Sequence, residues 1–225
     1  MMEDQTAFSS KKLKNITTSE LQTWFPRFSV PMLEARASIL RDLGMVLDKN
    51  YQSHAMNLVK ECQNSAVRLV RAISAMIPGF RDEAFYAGRQ VFFYKRAQIL
   101  VGDLWGAFGK RKTGHPCAFH DIEQLTMFAD YRVPQILRHL EVLRYSTQLQ
   151  ERIDNLQEIP FGGSLEIEIR AATVIAVEYI RSHLHSLKKY DGIVTSVEVD
   201  WILWQMGEKL KDSIAPAHCT RTIFY

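Results

Sequence analysis

Three short stretches hold residue types that could do chemistry: Phe93-Tyr94-Lys95-Arg96-Ala97-Gln98-Ile99-Leu100-Val101-Gly102-Asp103, Met127-Phe128-Ala129-Asp130-Tyr131-Arg132-Val133-Pro134-Gln135, and Asp200-Trp201-Ile202-Leu203-Trp204-Gln205. Asp130 stands between apolar Phe128-Ala129 and a helix start marked by Pro134. Its carboxylate has two readings, which the residues alone leave open. It can cap the helix, because Asp is favoured where backbone N–H groups lack partners. It can instead be a nucleophile, held against aromatic walls where a low dielectric makes the oxygen more reactive. Lys95 and Arg96 open a helix after a short strand, beside N–H groups that favour anions; a solvated basic pair is the plainer alternative. Asp103 lies two turns after Arg96, so an ion pair between them is expected. Asp200 and Trp204 share a helix face, as residues four apart do. That face is either a binding surface or an ordinary amphipathic one with its tryptophans in the core.

Several chemistries are disfavoured. His54, His115, His120, His139, His183, His185 and His218 never adopt HExxH or a comparable spacing, so a metal site is not expected. The glycine-rich phosphate loops and the GxSxG elbow do not occur. Three cysteines, Cys62, Cys117 and Cys219, lack any CxxC pair and read as reduced thiols. The net charge of +3 gives no strong pull toward nucleic acid or lipid. No apolar run reaches the roughly 18 residues that span a bilayer, and Met1 to Lys14 lacks a secretory signal's apolar stretch. A cytoplasmic protein is expected, with nuclear entry left open.

These candidates must be positioned by helices. Residues 1–28 are expected to be poorly ordered, with Trp24-Phe25-Pro26 an apolar cluster without a local partner; residues 29–225 are expected to form one helical domain. A first helix is signalled from Ser29, with Pro31 in its first turn and Leu33, Ala37, Leu40 and Leu47 recurring at helical spacing. A second is expected from Ser53 to Ile77, ended by Pro78-Gly79. Gln90–Tyr94 is the one strand expected, followed by a helix over 95–108 and a basic loop from Gly109 to Pro116. Further helices are predicted near 121–128, 134–144, 147–156, 165–189 and 196–211. Ser164 is the expected N-cap of the fourth of these, and Thr195 with Glu198 forms a capping box for the last. Asp191-Gly192 reads as the turn between them. The class is all-α, a bundle with at most one short β element.

The FADYR-x-PQ stretch (Phe128 to Gln135), together with Phe93-Tyr94-Lys95-Arg96-Ala97-Gln98, Glu166-Ile167-Glu168-Ile169-Arg170, Asp200-Trp201-Ile202-Leu203-Trp204 and Arg221-Thr222-Ile223-Phe224-Tyr225, resembles the queuosine salvage family from about Pro31 onward. The resemblance implies a fold like that of the helical DNA glycosylases and a metal-free, cofactor-free N-glycosidase. That hydrolase would act on queuosine 5′-phosphate, giving queuine for tRNA modification and ribose 5-phosphate. It implies Asp130 as nucleophile and Ala129, Asp200 and Trp201 as base-reading residues. Gln205 stands where the family often has a second aspartate. Phe128, Trp201 or Tyr131 could stack on the base, and Lys95, with Arg96 behind it, is the expected phosphate reader.

The chemistry suits these residue types. Glycosidic cleavage passes through an oxocarbenium-like state that a carboxylate stabilises and then captures. A 7-deaza base cannot be protonated at N7, so hydrogen bonds must hold it, and its N–H edge and amine suit an acceptor such as Asp200. The partner expected is therefore a small molecule, with no direct nucleic acid and no membrane; oligomeric state is not set by sequence. The family carries a further N-terminal segment that helps wall the pocket, and the resemblance begins only near Pro31. A shortened and poor enzyme is therefore expected, with a queuine- or nucleotide-binding or scaffold protein as the alternative.

Overall fold

The computed structural model describes residues 8–187 and 194–225. Among these residues it holds ten α-helices and one two-stranded hairpin, the mainly helical class expected. The chain divides into two compact units, Met1–Arg81 with Leu104–His120, and Asp82–Asp103 with Asp121–Tyr225, where the sequence predicted one domain from residue 29.

In the first unit, the segment expected to be poorly ordered carries α1 (Ser10–Leu13) and α2 (Thr18–Thr23). Local chemistry explains α2: Thr17 and Glu20 close a capping box, with Thr17 N–H donating to Glu20 Oε2 at 2.9 Å and Glu20 N–H to Thr17 Oγ1 at 3.1 Å. Ile16 and Leu21 are buried with Ala37, and Trp24, which the sequence left without a partner, packs against them. The next helix, α3 (Leu33–Asn50), begins after Pro31 rather than around it, because Met32 adopts a left-handed conformation at φ 53°. Gly44 lets α1 approach: a Cβ there would lie 2.3 Å from the Lys14 backbone nitrogen.

The single helix expected over 53–77 is two, α4 (Ala55–Glu61) and α5 (Ala66–Met76). Gln63 and Asn64 sit at positive φ, and the Ser65 side chain accepts from Arg68 N–H at 3.1 Å to start the second helix afresh. Apolar periodicity runs across this break, and so hid it.

In the second unit, β1 (Glu83–Tyr86) pairs antiparallel with β2 (Arg89–Phe92) through the two-residue turn Ala87-Gly88, both at positive φ. The expected strand at 90–94 is thus one arm of a hairpin; its other arm was missed because Ala-Gly is a weak turn signal. Then come α6 (Lys95–Leu104), α7 (Arg132–His139), α8 (Thr147–Asp154), α9 (Ser164–Ser186) and α10 (Ser196–Leu210). The predicted capping box at Thr195 and Glu198 starts α10, whereas Gly163, not Ser164, is the N-cap of α9. Asp191-Gly192 lies outside the described residues. Phe93, Met127, Val133, Ile136, Leu137, Ile167, Val177, Val199 and Leu203 form the core that joins the hairpin to α7, α9 and α10. Each such side chain contributes about 1.5–3 kcal/mol. No helix among the described residues is long and apolar enough to cross a membrane.

Candidate active site

The helix expected near 121–128 is only a single 3-10 turn, Ile122–Gln124, and residues 125–131 are irregular. Buried backbone groups need partners, so an irregular buried segment has to find them outside any helix or sheet. Here side chains supply them. Gln98 on α6 accepts from Thr126 N–H at 3.0 Å, Asp200 Oδ1 on α10 accepts from Phe128 N–H at 3.0 Å, and Arg170 Nε on α9 donates to the Ala129 carbonyl at 3.0 Å. Three helices therefore hold the strip that ends in Asp130.

Asp130 is 6% exposed and realises the capping reading left open by the sequence. Its Oδ1 accepts from Arg132 N–H at 2.9 Å and Val133 N–H at 3.1 Å, which pins the carboxyl at the start of α7. Both bonds fall on one oxygen, so capping does not consume the other. Arg132 is drawn toward α10, where it pairs with Glu208 at 2.6 Å and its stem passes over Gly207. A Cβ on Gly207 would come within 2.9 Å of that stem.

Asp200 lies on the buried stripe of α10 with Ser196, Leu203 and Gly207, and is 3% exposed. Burial, and then the nearby Asp130 charge, push its carboxyl up to about 8; the Phe128 N–H and the Lys95 charge only partly oppose this. Burial also raises the Asp130 carboxyl, against the pull of Lys95 and of the two N–H groups. Two carboxyls in one buried field cannot both ionise easily, so near neutrality the pair retains a proton.

Lys95 serves both acids. It starts α6 after Tyr94, which is held at φ 48°, and its charge lowers Asp130, Asp200 and Asp103 alike. The first N–H of that helix is already engaged, because Lys95 N–H donates to Asp82 Oδ2 at 3.1 Å. Any anion there would meet the ammonium group, not that amide. Arg96 Nη1 donates to the Ile223 carbonyl at 3.2 Å.

Lys95, Phe128, Ala129, Asp130 and Asp200 are thus brought together, directly or through charge. Phe128 is 1% exposed, and its ring lies against Gly102, where a Cβ would come within 2.7 Å of Cζ; its backbone N–H, not an open ring face, reaches Asp200. Trp201 is half-buried beside Asp200, Gln205 is exposed one turn further on, and Trp204 is exposed rather than in the core. Tyr131 is 40% exposed, its ring under the Arg132 guanidinium. No group of three or more His, Cys, Asp or Glu among the described residues could hold a metal ion.

Sequence reasoning missed Asp82, Arg170 and Gln98 as supports of this strip. A signal was available for one of them: Glu166 and Arg170 are charged at i and i+4 on a helix that is otherwise strongly apolar on that face. Charges in such a place are paired in the interior or not there at all.

The family model described as queuosine salvage protein matches residues 1–225. Three similar proteins carry the name queuosine 5′-phosphate N-glycosylase/hydrolase. The one from Dictyostelium discoideum is 44% identical over 218 residues, covering 97% of this chain and 66% of that protein. The one from Sphaerobacter thermophilus is 44% identical over 218 residues, covering 95% of this chain and 64% of that protein. The one from Bos taurus is 35% identical over 203 residues, covering 87% and 59%. The chain thus spans slightly under two thirds of the length of these curated relatives. The sequence match over every described element, with the buried Asp130 within it, has one consequence: this chain belongs to the queuosine salvage protein family.

Proposed function

We propose that this chain is an N-glycosidase that hydrolyses queuosine 5′-phosphate to queuine and ribose 5-phosphate, with Asp130 as nucleophile. The single observation that carries the reading is the state of Asp130. It is buried, fixed through Oδ1 by two N–H groups, and within electrostatic reach of a second buried carboxyl, Asp200. A carboxylate so placed attacks the anomeric carbon through its other oxygen, and the glycosidic electron pair leaves with the base, whose ring nitrogen takes up a proton. Water then adds to that carbon and gives up a proton, the sugar–Asp130 ester opens, and the carboxylate is regenerated. Because the loop is already pinned, little reorganisation accompanies the attack.

Asp200 reads the base edge together with Trp201 and the Ala129 backbone. Neutral near pH 7, it presents both an acceptor and an O–H donor, and a cationic substrate amine beside it favours its ionised form. Lys95 meets the 5′-phosphate, and its charge draws the Asp130 carboxyl down against the effect of burial. Phe128 supports the strip by packing, and Gln205 lies at the rim. The partner is a small molecule; a net charge of +3 gives little grip on a nucleic-acid backbone. Cytoplasmic residence, with access to the nucleus, fits salvage of a base destined for tRNA.

Mass spectrometry of queuosine 5′-phosphate incubated with the purified chain tests this. Queuine and ribose 5-phosphate are the expected products, whereas binding without release would make the chain a nucleotide-binding protein. Lys95→Ala sharpens the phosphate assignment. It should weaken the nucleotide, but not the unphosphorylated nucleoside, by roughly 1.5–3 kcal/mol. An equal effect on both substrates would move the phosphate elsewhere.

A further inference from the structure

The reading of Asp130 leaves one fully buried cluster without a role. Arg170, Asp82 and Glu166 are each 0% exposed. The Arg170 guanidinium donates to Asp82 through two bonds, Nη1 to Oδ1 at 3.0 Å and Nη2 to Oδ2 at 2.5 Å, and to Glu166 Oε1 at 3.2 Å. It lies over two rings, 4.0 Å from the Phe93 centroid and 4.7 Å from that of Tyr225. The Tyr225 hydroxyl donates to Glu166 Oε1 at 2.8 Å, and Gly162 N–H to Glu166 Oε2 at 3.2 Å. Buried ion pairs of this kind are weak evidence for stability, because well-packed apolar residues often do as well. What an apolar residue cannot do is make the two outward connections this cluster makes. Arg170 Nε donates to the carbonyl of Ala129, the residue before Asp130, and Asp82 Oδ2 accepts from the N–H of Lys95.

We infer that Arg170 is a positioning residue: one guanidinium sets the strip carrying Asp130 and, through Asp82, the helix start carrying Lys95. The inference rests on the proposed role of Asp130. Arg170 does not touch substrate; it fixes the placement of the nucleophile relative to the Lys95 cation. Tyr225 completes the device by occupying Glu166 and one face of the guanidinium, so Glu166 does not draw Arg170 away from Asp82. A displacement of about 1 Å at a nucleophile costs on the order of a hundredfold in rate.

The test measures kcat, KM and the pH profile of queuine release for the parent chain, Asp130→Asn, Arg170→Lys and Tyr225→Phe, each normalised to its folded fraction. Arg170→Lys keeps the charge but loses the fork and the Ala129 bond. It should lower kcat by about a hundredfold with KM within a few-fold, and displace the pH profile, since Lys95 then sits differently against Asp130 and Asp200. Tyr225→Phe removes one donor and leaves every charge in place; about tenfold in kcat is expected, in the same direction. A folded Arg170→Lys with parental kcat and pH profile overturns the inference. If Arg170→Lys does not fold, Tyr225→Phe decides, and parental kcat and pH profile there overturn it equally. A parent that releases no queuine refutes the reading of Asp130 and this inference with it. An active parent, a dead Asp130→Asn and a normal Arg170→Lys refute the inference alone.

Discussion

Two pairs of buried carboxylates stand in the same compact unit and are treated in opposite ways. Asp82 and Glu166 face a guanidinium at bonding distance, which satisfies three of their four oxygens, with Tyr225, Gly162 and Lys95 N–H adding further bonds. Asp130 and Asp200 lie within electrostatic reach of each other and share the charge of Lys95, which bonds to neither, with N–H bonds to one oxygen apiece. Both pairs are desolvated, so desolvation alone does not make a site reactive. The difference is compensation. A charge surrounded by geometrically matched donors is held in one geometry and serves structure. A charge left short of donors is raised toward protonation and keeps an oxygen available for chemistry.

The largest effect expected from this contrast is on turnover. Asp130→Asn keeps an Oδ1 to accept from Arg132 and Val133, so the fold and its circular dichroism should persist while queuine release falls by at least about a thousandfold. Near-normal release by a folded variant would place the chemistry elsewhere.

The next effect is on stability and runs the other way. Arg170→Met leaves Asp82 and Glu166 buried without their counter-charge, and urea unfolding should show a loss of about 3–5 kcal/mol. Lys95→Met removes a half-buried cation that bonds neither acid, so it should cost below about 1 kcal/mol. Equal losses would mean that the two pairs are compensated alike.

A smaller effect separates the pairs by pH. The folded Asp200 carboxyl is raised to about 8 by burial and Asp130. An unfolded aspartate titrates near 3.9, so the folded state binds the extra proton between these values, and its stability falls as pH rises through that window. Asp200→Asn has no proton to lose and can still accept from Phe128 N–H. Its melting temperature should exceed the parent's near pH 8, and the advantage should vanish near pH 4. An advantage independent of pH would contradict the shared-proton account.

The smallest effect has the opposite sign and belongs to the Arg170 side. His218 is buried with Nδ1 unpartnered, and burial, then the Arg170 charge, bring its ring down to about 4. The unfolded ring binds a proton near 6.5, so stability is lost as pH falls from about 6.5 toward 4. In His218→Asn, the drop in melting temperature between pH 7 and pH 5 should shrink. An unchanged drop would locate the acid sensitivity in other groups.

How far these pairs could be read beforehand differs. Asp130 and Asp200 stood out because each is an acid in an aromatic, apolar setting, and the pattern around Asp130 pointed to its family. Glu166 and Arg170 carried a weaker signal, a charged pair at i and i+4 on an apolar face. Asp82 carried none: Arg81-Asp82-Glu83 reads as an ordinary polar link before a strand, and its importance comes from Arg170, which is 88 residues away in sequence. Elements show the same division. The start of α10 follows from Thr195, whose side chain accepts from the Glu198 N–H three residues on, a contact within one helical turn. The break between α4 and α5 and the irregular strip at 125–131 did not follow from local sequence.

What the sequence by itself determined is therefore what short range can determine: a mainly helical chain, the capping box that starts α10, an acid in an apolar strip, and membership of a family. Tertiary structure decided the rest. Residues 125–131 have no local reason to avoid a helix; they do so because Gln98, Arg170 and Asp200 offer their backbone better-placed partners from three other helices. The same packing decides which carboxyls are compensated. A charge's protonation depends on the donors within a few ångströms of it, and only the fold sets those distances.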